Sequence, residues 1–282
     1  MMSQLDEIFA AILENPGRYV PGSEAYLKLR ASAREQIEGL FRSTKPNPKP
    51  FGPFGLIALP YTQMGAIDSL DLFGLDELII FAFYHANRGR YTRVLDIGAN
   101  IGLHSIVLAK CGFAVRAFEP DPRHFALLSS NLMANAAKSV QTFQAAVSTV
   151  DGQKEFVRVL GNTTGSHLSG AKHSYGEREI FEVKVLAIAP LLEWATLAKI
   201  DAEGHEKDLL LAAKRSDFEH LDVIMEVGSA TNAEAIFNHL SVLGVGMYPQ
   251  KLGWQPADSA LDLPISHRDG SLFLSARGKM PW

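Results

Sequence analysis

Asp96, the turn Gly98-Ala99-Asn100-Ile101-Gly102, Glu119 and the run Lys199-Ile200-Asp201-Ala202-Glu203-Gly204-His205-Glu206 are the residues whose types and spacing could do chemistry. The turn stands between an apolar strand (Val94, Leu95, Ile97) and an apolar helix (Ile106, Val107, Leu108, Ala109) closed by Gly112. Unpaired amides at the helix start, with its partial positive charge, favour an anionic group of a ligand there. A dinucleotide fingerprint would need glycines at 98, 100 and 103, where this chain has Gly98, Asn100 and Leu103. That disfavours a nicotinamide-dependent oxidoreductase. Asp96 can instead meet an ammonium, while the amides of the turn, Gly98, Ala99, Asn100 and Gly102, meet a carboxylate. A ligand carrying both groups is an amino acid, and the amino-acid end of S-adenosylmethionine fits. Glu119 ends the next strand about 20 residues on, where a carboxylate holds a ribose diol.

The second group of residues suits methyl transfer. That reaction needs an acceptor oxygen in line with methyl and sulfur, and relief of the oxygen's proton. Positioning supplies roughly 7–11 kcal/mol at best, and a base adds about 10²–10⁴-fold. Asp201, at a strand tip, is placed to orient the acceptor or bridge to the cofactor. His205, with an unperturbed pKa near about 6.5, is the natural proton acceptor. Glu203 could hold that imidazole or take the proton itself. A plainer account competes: carboxylates beside a helix N-terminus are favoured by about 0.3–1 kcal/mol without any catalytic duty. Glu206 is assigned to that role, and Asp121, followed by Pro122, to a helix cap. A metal reading would gather Asp201, Glu203 and Glu226 on Mg²⁺. It is set aside because Val227-Gly228-Ser229 follows Glu226 where catechol-chelating enzymes carry an Asp-Asn pair.

VLDIGANIG, FEPDP, KIDAEGHE and a later MEV together resemble the FkbM-type S-adenosylmethionine-dependent methyltransferases, over residues 76–227. The specific part is KIDAEGHE following DIGANIG. The resemblance implies S-adenosylmethionine as cofactor and O-methylation of a small-molecule hydroxyl, on a sugar, glycolipid or polyketide-type alcohol. It also favours Ala146, expected at the end of the third strand, as the small residue that leaves room for adenine. A non-catalytic cofactor-binding scaffold is the rival from another class.

The elements that must position these residues alternate. Helices are expected over 5–13, 23–41 and 76–87, then a central strand, the glycine-turn helix, and strands over 114–119, 140–147, 198–201 and 221–227. Two further β-rich pieces, 155–160 and 180–188, flank a polar loop, 161–176. Helices over 205–214 and 231–243 and strands over 245–248 and 271–276 complete the chain. Such alternation implies an α/β fold, a doubly wound, mostly parallel, Rossmann-like sheet of the class I methyltransferase type. Four prolines between Ser43 and Gly55 mark a strap. Residues 1–75 are therefore expected to form an N-terminal helical cap with its strap, and 76–282 the cofactor-binding domain. Residues 51–61 and Asn162 to His167 are candidate acceptor walls, and Trp194, Trp254 or Trp282 could stack on a sugar.

Composition bounds the rest. Of 282 residues, 47% are hydrophobic and 21% charged, as in an ordinary globular protein. A net charge of −4 without a basic stripe speaks against nucleic acid as partner. The single cysteine, Cys111, excludes an internal disulfide and reads as a core residue. No run approaches a membrane span and the first residues carry no basic leader, so a cytoplasmic setting is expected.

Overall fold

The computed structural model describes residues 3–171 and 176–282, so 172–175 of the expected polar loop lie outside the described residues. Eleven strands build two sheets: β1 (Arg93–Ile97), β2 (Ala114–Phe118), β3 (Val140–Phe143), β4 (Ala146–Ser148), β5 (Gly152–Val159), β6 (His167–Leu168), β7 (Arg178–Ala187), β8 (Leu197–Ile200), β9 (Asp222–Met225), β10 (Gly246–Pro249) and β11 (Leu272–Ser275). The larger sheet has the order β3-β2-β1-β8-β9-β11-β10. Its pairs are parallel except those made by β11, which runs against both neighbours. The expected doubly wound α/β sheet is present. Strand order reverses between β1 and β8, and that is where ligands bind in such sheets. β1 is almost wholly buried, as a strand covered on both faces must be, and so reads as an apolar run.

One expected strand divides. The run 140–147 looks continuous because no glycine or proline interrupts it. In the structure the chain bends after Phe143, with the Ala145 amide donating to the Phe143 carbonyl at 2.9 Å. Ala146 then opens β4, which pairs with β7 in a four-stranded sheet of order β6-β5-β7-β4. Ala146 therefore begins a strand of the second sheet and does not end the third strand of the first. A change of pairing partner leaves no mark in hydrophobic periodicity.

Eight helices are described: α1 (Gln4–Glu14), α2 (Glu24–Phe41), α3 (Leu75–Ala86), α4 (Leu103–Lys110), α5 (Pro122–Ala134), α6 (Ala189–Trp194), α7 (Glu206–Leu211) and α8 (Ala230–Leu243). Ser3 and Asp6 form a capping box on α1, and Asp121 caps α5 by accepting from the Arg123 amide, with Pro122 opening the helix. The N-terminal segment is fastened by rings. Phe9 and Phe51 meet edge to face at 5.5 Å, Phe51 meets Phe73 at 5.4 Å and Phe81 at 6.0 Å, and Phe41 stacks on Phe73 at 4.6 Å. Each such pair contributes about 0.5–1.5 kcal/mol beyond burial. The knot belongs to one apolar core that also takes in α3 and α4. Phe51 is fully buried there, so the front of the strap packs inward and does not form an acceptor wall. Among the described residues no helix is long and apolar enough to cross a membrane.

Candidate active site

Beyond the carboxyl ends of β1, β2, β8 and β9 lies a cavity of about 710 Å³, within the range of small-molecule sites. Gly98, Asn100, Glu119, Ala146, Asp201, Glu203, His205 and Glu226 all reach its wall. Asp96, Ala99 and Gly102 do not.

The glycine turn is shaped by close approaches. Gly98 has φ +78, and a Cβ placed on it would lie 1.8 Å from the Asp201 carbonyl oxygen. The turn and the tip of β8 therefore touch backbone to backbone. Gly102 serves helix packing, since a Cβ there would lie 2.6 Å from Leu128 Cδ1 on α5. Asn100 holds φ 52, a left-handed conformation that asparagine tolerates better than most residues. Its amide donates to Glu119 Oε2 at 2.8 Å, and the Asp121 amide donates to Oε1 at 2.8 Å. Two backbone amides thus fix the carboxylate while leaving further lone pairs toward the cavity. Burial nevertheless pushes the Glu119 pKa up to about 8.

Asp96 is fully buried behind this wall. It accepts from Ser105 Oγ on α4 at 2.5 Å and lies 3.8 Å from Lys199 Nζ. It does not line the cavity, and its Oδ1 accepts no hydrogen bond among the described residues. Lys199, opposite Asp96 in register, is the residue that sequence reasoning passed over. Its ammonium donates to the Gly98 carbonyl at 3.1 Å and to Asp201 Oδ2 at 3.3 Å. Burial works against its charge, yet Asp201, Asp96 and Glu77 hold its pKa above the ordinary lysine value. A lysine inside the wholly buried strand LAKI was the available signal.

The loop after β8 is held by Glu206. This carboxylate is 3% exposed and accepts from the Ala202 amide at 2.8 Å and the Gly204 amide at 2.9 Å. Glu206 is therefore more than a favourable charge at a helix end: it clasps the loop that carries Asp201 and Glu203. Glu203 needs the clasp, because its φ of 52 is costly for a side-chain-bearing residue. Glu206→Gln sets an NH₂ group or a weaker acceptor against those two amides. We expect Tm to fall by several degrees and kcat by about tenfold or more, consistent with unsatisfied buried donors at about 1–3 kcal/mol. Thermal melts and steady-state rates check this, and wild-type values for both would return Glu206 to the helix-end role.

His205 differs from its expected posture. Nε2 meets Ser148 Oγ at 2.9 Å, and Nδ1 meets Asp208 Oδ2 at 3.0 Å. Both ring nitrogens are engaged, so the imidazole braces β4 against α7. Burial lowers its pKa, with Asp208 opposing. Glu226, one residue past β9, stands beside Asp201, one residue past β8: the Glu226 amide donates to the Ile200 carbonyl at 3.3 Å. Its carboxylate takes part in no hydrogen bond among the described residues. Burial, then the carboxylates of Asp201, Glu77 and Glu203, push its pKa well above the usual range. Glu77, on α3, also reaches the cavity and bonds His104 Nε2 at 2.8 Å, with Tyr84 on the far ring nitrogen at 3.1 Å. Neither residue was singled out from sequence; the signal was a charged and an ionisable side chain in otherwise apolar helices. Among the described residues, no cluster of three or more His, Cys, Asp or Glu is arranged to hold a metal.

The outer wall is polar. His124 Nε2 meets Thr163 Oγ1 at 2.9 Å, and the segment from Asn162 to Leu168 lines the cavity throughout. Ile67, Asp71 and Leu72 of the strap's far end line it too, in place of residues 51–61. None of the three tryptophans does.

A seven-stranded sheet with one reversed strand, and a glycine turn facing a strand-tip carboxylate at the switch point, define the class I methyltransferase fold. The chain belongs to the FkbM methyltransferase family: the model of the methyltransferase FkbM domain matches residues 96–245, more than half of the chain. No curated protein matches it. Solved structures give distant likenesses. A SAM-dependent methyltransferase from Agrobacterium tumefaciens shares 9% identity over 81% of this chain and 69% of its own, with a TM-score of 0.43. Cofactor-bound Rv0187 from MTB shares 15% over 91% of each chain, with a TM-score of 0.37. The StiE O-MT segment shares 12% over 58% of this chain, with a TM-score of 0.34, and this chain spans 50% of its length.

Proposed function

We propose that this chain is an S-adenosylmethionine-dependent O-methyltransferase whose acceptor is a small polyhydroxylated molecule, a sugar or related alcohol. The observation that carries the reading is one continuous cavity that joins the Glu119 cradle to the loop of Asp201 and then to a hydroxyl-rich polar wall. The residues present fit the cofactor. Glu119, preset by two amides, suits a ribose diol; Asn100 Oδ1 is buried without a partner beside it. Ala146, Phe118 and Val147 leave a flat apolar face for adenine. Bound S-adenosylmethionine supplies an electrophilic methyl group on its sulfonium. Asp201, fixed by Lys199, orients the acceptor; Glu203 shapes the floor; His205 holds the loop in place through Ser148 and Asp208. The hydroxyls of Thr163, Thr164 and Ser166, with the Asn162 amide and the His167 imidazole, match sugar hydroxyls better than an apolar acceptor. Residues 1–75 are the acceptor-side cap, reaching the cavity through Ile67, Asp71 and Leu72.

Calorimetry tests the cofactor. S-adenosylhomocysteine and S-adenosylmethionine are expected to bind, NAD is not, and Glu119→Ala weakens adenosyl-ligand binding about tenfold or more, as loss of a charged hydrogen-bond partner implies. Tight NAD binding with no response to the adenosyl ligands would overturn the proposal. A panel of free sugars and alcohols, assayed for methyl transfer, then identifies the acceptor.

A further inference from the structure

We propose that Glu226 is the catalytic base, standing at the transferred methyl group and receiving the acceptor's proton. This rests on the methyl-transfer reading above. Three observations converge on it. Glu226 lies at the tip of the strand next to Asp201, on the cavity wall. Its carboxylate takes part in no hydrogen bond among the described residues, whereas Glu119, Glu206 and Glu77 are all committed to partners. His205, the residue type best suited to the task, has both nitrogens engaged.

The neighbourhood fits a base. The groups facing Glu226 are Asp201 and Lys199 on β8 and its tip, Glu203 in the following loop, and Glu77 on α3. Three carboxylates against one ammonium favour a proton on Glu226, and a carboxyl with a raised pKa is a stronger base than an exposed one. In the reaction the acceptor oxygen forms its bond to the methyl carbon while the carbon–sulfur bond breaks, its electron pair remaining on sulfur. The acceptor's O–H proton passes to Glu226. The sulfonium charge is thereby spent and the carboxyl becomes neutral, so the charges balance without another reactant.

The two adenosyl ligands provide a test that needs no acceptor. S-adenosylmethionine carries a positive sulfonium and S-adenosylhomocysteine a neutral thioether; the rest is shared, including the ribose at Glu119. Calorimetry in buffers of different ionisation enthalpy counts the protons released by each. A positive charge beside Glu226 lowers its pKa, so S-adenosylmethionine should release more protons than S-adenosylhomocysteine at pH values above the ordinary carboxylate range. Glu119, at the ribose that both ligands share, cancels in the difference. Glu226→Gln should abolish the difference while leaving both affinities within a few-fold. With any hydroxyl acceptor the wild type methylates, the same variant should lower kcat about 10²-fold or more. No difference in the wild type, or the same difference in Glu226→Gln, overturns the assignment. Failure of either ligand to bind would instead overturn the methyltransferase reading itself. Stability gives a fold control. A carboxyl whose folded pKa is raised favours the fold at low pH and loses that contribution as pH rises through the folded value. Glu226→Gln should therefore match the wild-type Tm at acid pH and exceed it at alkaline pH.

Discussion

Gly98→Ala lowers Tm by roughly 5–10 °C and removes measurable binding of S-adenosylhomocysteine; this is the expected result of filling the contact between the glycine turn and the β8 tip. The added Cβ would lie 1.8 Å from the Asp201 carbonyl oxygen, and the backbone holds φ +78. No side-chain rotation relieves the overlap, because both partners are main chain. The turn, the Asp201 loop or both must move. Loss of about 3 kcal/mol or more corresponds to a shift of that size. Gly112→Ala is the matched control. Gly112 has φ +88, but nothing lies within 4 Å of its Cβ position. That variant carries the conformational cost alone, about 1 kcal/mol, and should bind normally. Equal behaviour of the two variants in melts and calorimetry would show that the contact between turn and loop is unimportant.

Lys199→Met is the second large effect. It strands Asp96, which is 0% exposed and keeps only Ser105 as a hydrogen-bond donor. Breaking a buried pair from one side costs about 3–5 kcal/mol, so Tm should fall by roughly 10 °C. Asp201 loses its anchor as well, and kcat should fall further than stability explains at a temperature where the variant is still folded. Adding Asp96→Leu should return part of the stability, since an apolar pair avoids the stranded charge, but should not return activity. A Lys199→Met protein as stable as wild type would sink this account.

What was legible in the sequence was local. The glycine turn, Glu119 and Asp201 each follow a strand within a few residues, and strand-then-turn grammar places them at one end of the sheet. The doubly wound, mostly parallel character of the sheet followed from alternation. The pairing of Lys199 with Asp96 escaped because it depends on β8 lying beside β1, about a hundred residues apart in the chain. His104 and Glu77 escaped for the same reason: each is an isolated polar residue until α3 packs on α4. Glu206 was read from its helix alone, although its hydrogen bonds go backward into the loop. Ala146 was placed one strand too early because the switch from one sheet to the other carries no glycine or proline. Glu226 was weighed only as a metal ligand, and its isolation from donors is a property of packing that no spacing encodes.

The aromatic knot around Phe51 has a consequence for how this protein could diversify. It welds one side of the cavity to the helices that shape the cofactor turn, so change there disturbs everything at once. The opposite side, from Asn162 to Leu168, is buried from Gly165 onward and is tied back to the same N-terminal segment, the Ala66 amide donating to the Gly161 carbonyl at 2.7 Å. On the proposed reading, neither wall is exchanged alone, and new acceptors are acquired by side-chain substitution within a backbone that is kept.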